Sequence, residues 1–325
     1  MSTALRGASL VLVAWLAAGC GDEQTGSSVR PVPDPAGPYR SGAPAPHALT
    51  EVAAASVGGR IYLLGGLGAG GASHRVEIYD PVANAWSPGP ALPEDAPTHH
   101  LAVAVWQEQI FVLGGYTDLG FSPSAQALRL DPPRGVWTRL RDQPVARGAA
   151  TAQTLGARIH VVGGATPTQA LAAHWSYDPA ADTWRAQADM PIAREHLASC
   201  ADGMRMLVVG GRAQNNLRAA QIYEADRDRW TAAADLPTAR GGLAAATLNG
   251  RCYVVGGEAL DRGPPNTFAE NEAFDFASAA WAAVSPLPTP RHGLAAVALG
   301  PSLYTLLGGP EAGLTLSARV EIFTP

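Results

Sequence analysis

The chain has 325 residues, of which 47% are hydrophobic, and its formal net charge is −5. An acidic chain of this kind gives no reason to expect a nucleic-acid partner. All 23 basic residues are arginine, so lysine chemistry such as a Schiff base is excluded. The 36 glycines and 27 prolines are spread along the chain, which favours many short strands joined by turns.

The first residues have the pattern of a targeting segment. Arg6 precedes the apolar run ASLVLVAWLAAG, which is too short to span a bilayer and is typical of a signal peptide. The run ends in LAAGC, which resembles the bacterial lipobox. This resemblance predicts a lipoprotein signal peptide over residues 1–19 and lipidation of Cys20. The alternative is an ordinary secretory signal with a coincidental cysteine.

Residues 20–37 are polar, rich in proline and glycine, and aperiodic, so they predict a flexible linker behind the lipid anchor. We therefore expect the protein in the bacterial cell envelope, attached to the membrane through Cys20. In a Gram-negative cell, Gly21 in place of Asp after the cysteine favours the outer membrane over the inner one.

Residues 38–325 contain a sixfold repeat. In each repeat an apolar run ends in Gly-Gly, and successive pairs are 46 to 52 residues apart. The first glycines of the pairs are Gly65, Gly114, Gly163, Gly210, Gly256 and Gly308.

A second set of intervals is constant. In the first five repeats a tryptophan follows an aromatic or leucine residue by seven positions, and a proline follows the tryptophan by seven more. The tryptophans are Trp86, Trp137, Trp184, Trp230 and Trp281. These intervals never vary, whereas the number of residues between Gly-Gly and the aromatic residue does. We therefore predict that the segment from the aromatic residue to the proline is rigid and that the segment after Gly-Gly is a variable loop.

These motifs resemble the kelch repeat over essentially all of 38–325. The resemblance implies an all-β fold, a six-bladed kelch-type β-propeller with four strands, a to d, in each blade. Strand a is the alanine-rich run, strand b leads into Gly-Gly, strand c carries the aromatic residue, and strand d begins at the tryptophan. Small side chains suit strand a because the innermost strands crowd around the axis.

The sixth repeat ends at Pro325 without its strand d. Tyr39 precedes Pro46 by seven residues, the interval that separates tryptophan from proline elsewhere. We therefore predict that 38–43 forms the missing strand and pairs with 317–323, so that the ring is closed by an N-terminal strand completing the last blade. Closure leaves no exposed sheet edge.

Cys200 and Cys252 are the two cysteines of the repeat region. Cys252 occupies a position that is apolar or aromatic in the other repeats, so we expect buried free thiols. A disulfide between the two is the alternative, because exported proteins can form one.

The loops differ between the two faces of such a propeller. The a–b and c–d turns are short, whereas the b–c and d–a loops, which share the other face, vary in length. We call the face of the b–c and d–a loops the loop face. Long variable loops on a rigid scaffold are where binding usually occurs, so a protein or glycan partner is expected there.

Charged residues cluster where strand a begins, beside the axis on the loop face. Four arginines recur sixteen or seventeen residues before Gly-Gly, and histidine and glutamate residues follow at the next positions, which in blades one and two are Glu51, His99 and His100. We predict that an arginine-lined mouth is formed by Arg147, Arg194, Glu195, His196, Arg212, Arg240, Arg291 and His292. Arginine forks suit carboxylates, which favours an anionic group on the ligand. The alternative is that the recurring arginines are structural parts of the kelch pattern.

No cofactor or metal is expected from the sequence. The GLGAGG run at 66–71 fits a dinucleotide motif, but a strand rather than a helix is predicted after it. Histidines near the mouth offer possible metal ligands, yet solvated histidines are the commoner case. We find no arrangement of residues that predicts a nucleophile.

The function expected from these features is an envelope-tethered binding module for a protein or glycan that carries an anionic group. The alternative is a carbohydrate-active enzyme similar to the kelch-like sialic-acid mutarotases, with Arg194, Glu195 and Arg240 as the residues to test. A scaffold without a small ligand is a third possibility, because a fold of this kind does not fix function.

Overall fold

The structure is a computed structural model, and it describes residues 38–260 and 266–325. The predicted signal peptide, Cys20 and the linker over 20–37 lie outside the described residues. All 26 regular elements of the described ranges are β-strands, and these ranges hold no helix suited to crossing a membrane.

The strands of the first half, in chain order, are β1 (Tyr39–Ser41), β2 (Ala53–Val57), β3 (Arg60–Leu64), β4 (Leu67–Gly68), β5 (Gly71–Ala72), β6 (Val76–Asp80), β7 (Ala85–Pro88), β8 (Ala102–Trp106), β9 (Gln109–Tyr116), β10 (Pro123–Asp131), β11 (Val136–Arg139), β12 (Thr151–Leu155) and β13 (Arg158–Val162). The remaining strands are β14 (His174–Asp178), β15 (Thr183–Ala186), β16 (Ala198–Asp202), β17 (Arg205–Val209), β18 (Ala220–Glu224), β19 (Arg229–Ala232), β20 (Ala244–Leu248), β21 (Arg251–Val255), β22 (Asn271–Asp275), β23 (Ala280–Val284), β24 (Ala295–Leu299), β25 (Ser302–Leu306) and β26 (Val320–Phe323).

Twenty-four of these strands form six four-stranded antiparallel sheets, which are the predicted blades. Blade one is β2-β3-β6-β7, blade two β8 to β11, blade three β12 to β15, blade four β16 to β19, and blade five β20 to β23. Strands β4 and β5 form a separate hairpin in the b–c loop of blade one. The all-β, six-bladed prediction is confirmed.

Blade six joins the two ends of the propeller sequence. Its strand order is β24-β25-β26-β1, and β1 is antiparallel to β26 with Tyr39 opposite Phe323 and Ser41 opposite Glu321. The predicted closure is confirmed, although β1 is shorter than the 38–43 range expected. The last blade therefore has its full four strands.

The six inner strands surround a central channel. Strands β2, β8, β12, β16, β20 and β24 line a cavity of about 430 Å³ with side chains that are mostly Ala, Val, Ser and Thr. Small side chains let six strands approach one axis, which is why these alanine-rich segments are strands despite alanine's helical propensity.

The hydrophobic core is divided into six clusters, each between two neighbouring blades. Between blades six and one, for example, Ile61 and Tyr79 pack against Tyr304 and Ile322. The tryptophans link the blades further, because each indole Nε1 donates to a backbone oxygen of the preceding blade at 2.7–3.0 Å. The acceptors are the carbonyls of Ala43, Pro90, Arg141, Ala188 and Ala234.

The expectation of free thiols is wrong, because Cys200 and Cys252 form a disulfide. Cys200 lies on β16, the inner strand of blade four, and Cys252 lies on β21 of blade five; their Cα atoms are 5.6 Å apart. Both residues are fully buried in the cluster between these blades. The bond therefore covalently joins two neighbouring blades. The residues that stand at the position of Cys252 in the other repeats did not reveal this bond.

Candidate functional site

The four recurring arginines do not line the channel mouth. Arg147, Arg194, Arg240 and Arg291 are each 0% exposed. Each guanidinium turns inward and donates to backbone carbonyls near the end of strand b in its own blade, such as Val208 for Arg194. The predicted arginine-lined mouth is therefore corrected: these residues join strands within the blades.

Strand c supplies a partner for three of these arginines. Arg240 pairs with Glu272, and Arg291 pairs with Glu321 through a 2.7 Å contact. Arg194 donates to the Gln221 side-chain oxygen at 3.1 Å. In blade three, the corresponding residue of strand c is Trp175, and two nitrogens of Arg147 lack a hydrogen-bond partner.

The channel mouth on the loop face is instead formed by one residue from each blade. Each lies two residues before the first residue of its inner strand, and all six have left-handed backbone with φ between 51° and 63°. They are Glu51, His100, Ala149, His196, Gly242 and Gly293. We call this set the axial ring.

Backbone hydrogen bonds run around the axial ring. The N–H of each of five ring residues donates to the carbonyl of the ring residue in the preceding blade, and the Val52 N–H donates to Gly293 to complete the circle, at 2.9–3.3 Å. The left-handed turn at each position aims these groups along the ring. At Gly293 a Cβ would lie 2.5 Å from Thr50 Oγ1 and 2.6 Å from Glu51 Oε1, so a larger residue there would displace these two side chains.

Polar side chains gather on and directly above the axial ring. In five blades the residue before the ring position pairs with the residue after Gly-Gly, which brings Glu195 beside Arg212 and Gly241 beside Glu258. We call the resulting group the axial cluster, and it consists of Glu51, His100, Glu195, His196, Arg212, Glu258 and His292. Of the eight residues predicted for the mouth, the structure brings together four here: Glu195, His196, Arg212 and His292.

The axial cluster is more acidic than the sequence suggested. Arg212 donates to Glu195 at 3.1 Å and to Glu258 at 2.8 Å, so its charge is already matched by two carboxylates. Glu51 is a third carboxylate, 3.8 Å from His292 Nε2. The cluster thus holds three carboxylates against one guanidinium.

The pKa values reflect this arrangement. Burial opposes ionisation of Glu195, but the adjacent His196 and Arg212 outweigh it and lower the pKa of Glu195 to about 2. Burial also lowers the pKa of Arg212, yet Glu195 and Glu258 more than offset it and raise that pKa above its ordinary value. Glu195 and Arg212 are therefore both ionised at neutral pH.

A chain of hydrogen bonds fixes the histidines of blade two. His99 Nε2 donates to the backbone oxygen of Asp118 at 2.9 Å, which leaves His99 Nδ1 as an acceptor. His100 Nδ1 lies 2.6 Å from that atom and so is the donor. His100 Nε2 is then directed at Glu51 Oε2, 3.1 Å away.

Of the axial cluster, Glu258 is the residue that the sequence analysis did not place near the mouth. Glu51 and His100 were expected beside the mouth, and the structure places both in the axial ring. Glu258 follows its Gly-Gly pair as Arg212 does, and this position is the signal that could have identified it.

Exposed apolar side chains lie on the b–c loops around the axial cluster. Leu119 (58% exposed) and Phe121 (38%) belong to blade two, Leu260 (61%) to blade five, and Leu314 (65%) to blade six. We call these four residues the apolar rim. Phe121 also packs edge-on against His100, with ring centroids 5.5 Å apart, so the rim and the cluster are continuous.

Comparison with known proteins identifies the family. The pattern of the KLHDC2/KLHL20/DRC7 Kelch-repeats domain matches residues 100–309, well over half of the chain, and the Kelch motif matches residues 48–93. The chain belongs to the Kelch-repeat family. This Kelch-repeat protein also has the fold of the solved structure of YjhT, with a TM-score of 0.74 and 15% sequence identity over 87% of this chain and 96% of that one.

The curated relatives of this Kelch-repeat protein are longer. It is 36% identical to Kelch-like protein 25 of Xenopus tropicalis over 32% of this chain and 17% of that protein. It is 30% identical to Kelch-like protein terF of Aspergillus terreus over 39% of this chain and 30% of that protein, and 28% identical to Kelch-like protein 35 of Mus musculus over 38% and 20%. The matches thus span less than a third of each relative's length.

Proposed function

We propose that this Kelch-repeat propeller is a non-enzymatic binding module whose loop face holds a protein partner. Kelch-repeat domains typically bind proteins, and the observation that carries the proposal here is the apolar rim. Four large apolar side chains, each at least 38% exposed, project from the b–c loops of three blades around one mouth. Large apolar side chains that gather exposed on one face mark a surface for protein interaction.

The ligand chemistry differs from the sequence expectation. A preference for an anionic group rested on four arginines that are fully buried, and the axial cluster has more carboxylates than guanidinium groups. The sugar mutarotase alternative named Arg194, Glu195 and Arg240. Both arginines are 0% exposed and so have no surface to offer a substrate, and the Glu195 carboxylate is paired with His196 and Arg212. A protein partner with apolar side chains, and with basic groups near the axis, suits this face best.

The experiment compares the two faces of the propeller. Leu119→Asp combined with Leu314→Asp places two charges in the apolar rim, whereas Val82→Asp changes a 97% exposed residue in the c–d turn of the opposite face. Each variant is cross-linked in the source cells, and the attached proteins are quantified by mass spectrometry. We expect one partner whose yield falls at least about tenfold in the loop-face variant only. Equal yields from the loop-face and Val82 variants would refute the proposal.

The location of the module is a second part of the proposal. We propose that the propeller is held in the bacterial envelope by lipid on Cys20. The apolar run and the LAAGC sequence support this proposal. Cells fed radioactive palmitate should label the wild-type protein but not Cys20→Ala, and the variant should leave the membrane fraction. A Cys20→Ala protein that remains membrane-bound would contradict this attachment.

A further inference from the structure

Three positions of the axial ring carry side chains that can bind a metal ion. Glu51, His100 and His196 come from blades one, two and four, and their ligand atoms all lie within 4.8 Å of one another. The other three ring positions are Ala149, Gly242 and Gly293, which leave space at the axis. Two imidazoles and one carboxylate are a set that first-row transition metals accept.

The hydrogen bonds leave both histidines with a ring nitrogen ready to bind. His196 Nδ1 faces the Glu195 carboxylate and donates to it, so Nε2 is the His196 nitrogen that is left to bind an ion. His100 Nδ1 donates to His99, which leaves a lone pair on His100 Nε2 as well. Metal-binding histidines almost always donate their other N–H to a carboxylate or another acceptor in this way.

The contact between His100 and Glu51 indicates where a cation belongs. The lone pair of His100 Nε2 and the Glu51 carboxylate oxygen are both acceptors, and they lie 3.1 Å apart. Two acceptors at this distance require a shared cation between them, either a proton or a metal ion. His196 packs edge-on against His100, with ring centroids 4.8 Å apart, and so adds a third ligand on the same side.

The surroundings suit an ion with one open coordination position. The site lies in a cavity of about 100 Å³ whose walls include Leu101, Leu197, Leu243 and Leu294. Each of these four leucines directly follows an axial ring residue in the sequence, and together they form apolar walls around the axis. The neighbouring carboxylates Glu195 and Glu258 add negative charge that favours a cation.

We propose that Glu51, His100 and His196 form a binding site for a first-row divalent metal ion at the loop-face mouth of the channel. Zinc bound at 2.0–2.2 Å requires ligand atoms no more than about 4.4 Å apart, so binding draws at least one side chain inward by rotation. Because the three ligands come from three blades, the bound ion stabilises the ring. The site does not depend on the proposed protein partner.

The test measures zinc binding to the whole mature protein, purified without a histidine tag and treated with EDTA. Isothermal titration with Zn²⁺ should give one ion per chain, and saturating zinc should raise the Tm by several degrees. His196→Ala and Glu51→Gln should each weaken zinc binding at least about tenfold. The matched control is His74→Ala, which removes a histidine outside the axial cluster whose side chain hydrogen-bonds to the Pro93 carbonyl, and it should leave binding unchanged.

A second measurement distinguishes this site from binding elsewhere or from loss of the fold. Co²⁺ added to the metal-free protein should give a visible d–d absorption band that is absent in Glu51→Gln and present in His74→Ala. Circular dichroism should be the same for all variants. Absence of zinc binding in the wild-type protein, or equal binding by the wild type and by folded His196→Ala, would overturn the proposal.

Discussion

Tyr39 and Phe323 lie opposite each other in the ladder between β1 and β26, with their rings 5.0 Å apart. In blade five the same pairing is made by Trp281 and Phe274. Tyr39 therefore takes the place of the tryptophan that the sixth repeat lacks. Its hydroxyl accepts a hydrogen bond from Asn271 of blade five at 3.0 Å, so the first described strand is held by two blades.

Removal of residues 38–46 should therefore destabilise the whole ring. The deletion loses the β1–β26 ladder and the burial of Tyr39, which is 5% exposed, and it leaves β26 as an open edge. We expect a loss of several kcal/mol in the free energy of unfolding by urea, since each backbone hydrogen bond contributes about 1 kcal/mol. Deletion of nine residues from the predicted linker, 24–32, is the control. Equal urea midpoints for the two deletion variants would exclude a role of β1 in closing the ring.

Arg291→Ala should cost more stability than Arg147→Ala, although both residues occupy the same position in the repeat. Loss of Arg291 leaves the buried carboxylate of Glu321 unpaired, for which we expect about 3–5 kcal/mol. Arg147 has no such partner. Its removal leaves the Gly163 carbonyl without this donor, while the Ala173 carbonyl keeps its bond from the Gly163 N–H, so we expect about 1–3 kcal/mol. Urea unfolding measures both, and the reverse order would contradict the assigned pairing.

The disulfide should contribute substantially to stability. Cys200 and Cys252 are 52 residues apart, and closing a loop of this length restricts the unfolded chain by about 4 kcal/mol at most. We expect the Cys200→Ala/Cys252→Ala protein to fold but to unfold at a lower urea concentration. Both residues are 0% exposed, so a thiol reagent should find no free cysteine among them in the native wild-type protein. Two reactive thiols after denaturation without reductant would show that the bond is absent.

The protein should lose stability between about pH 6.5 and pH 4 because of a buried histidine pair in blade three. His160 Nδ1 lies 2.9 Å from His174 Nε2, and the latter ring donates from Nδ1 to the Ala188 carbonyl. Burial lowers the pKa of His160 to about 3 and that of His174 to about 4. The charged groups that act on the pair are Arg147, Arg158, Asp189 and Asp228.

The sign follows from the lowered pKa values. The unfolded chain binds protons near pH 6.5 while the folded protein does not, so stability is full above that pH and falls as the pH drops. We expect a loss of up to about 6 kcal/mol by pH 4, with about 3 kcal/mol from each histidine, measured as urea midpoints across the range. In a His160→Leu/His174→Leu protein this slope should be smaller; an unchanged slope would assign it to other groups.

The blades could be predicted from the sequence because their signals are local. The constant intervals from the aromatic residue to Trp86, and from Trp86 to Pro93, cover two adjacent strands and their turn. Hydrogen bonding between such neighbours depends only on nearby residues. The interval between Tyr39 and Pro46 revealed the closing strand for the same reason, because β1 keeps the pattern of a strand d.

The candidate site was predicted only in part. The sequence placed Glu195, His196, Arg212 and His292 near the axis correctly, because the start of strand a and the end of strand b are fixed by the repeat. It also placed the four repeated arginines at the mouth, where the structure has none of them. Each of these arginines lies two residues before an axial ring position, and its side chain turns into its own blade, toward strand c. The spacing of the repeat does not reveal this direction.

The sequence by itself thus determined the number of blades, the strands within each blade and the strand that completes the last blade. Each of these follows from a pattern of residues within one repeat. Tertiary structure alone decided that Cys200 meets Cys252 and that Glu51, His100 and His196 meet at the axis. These residues come from different blades. Only closure of the ring, with a left-handed turn at each axial position, brings their side chains together.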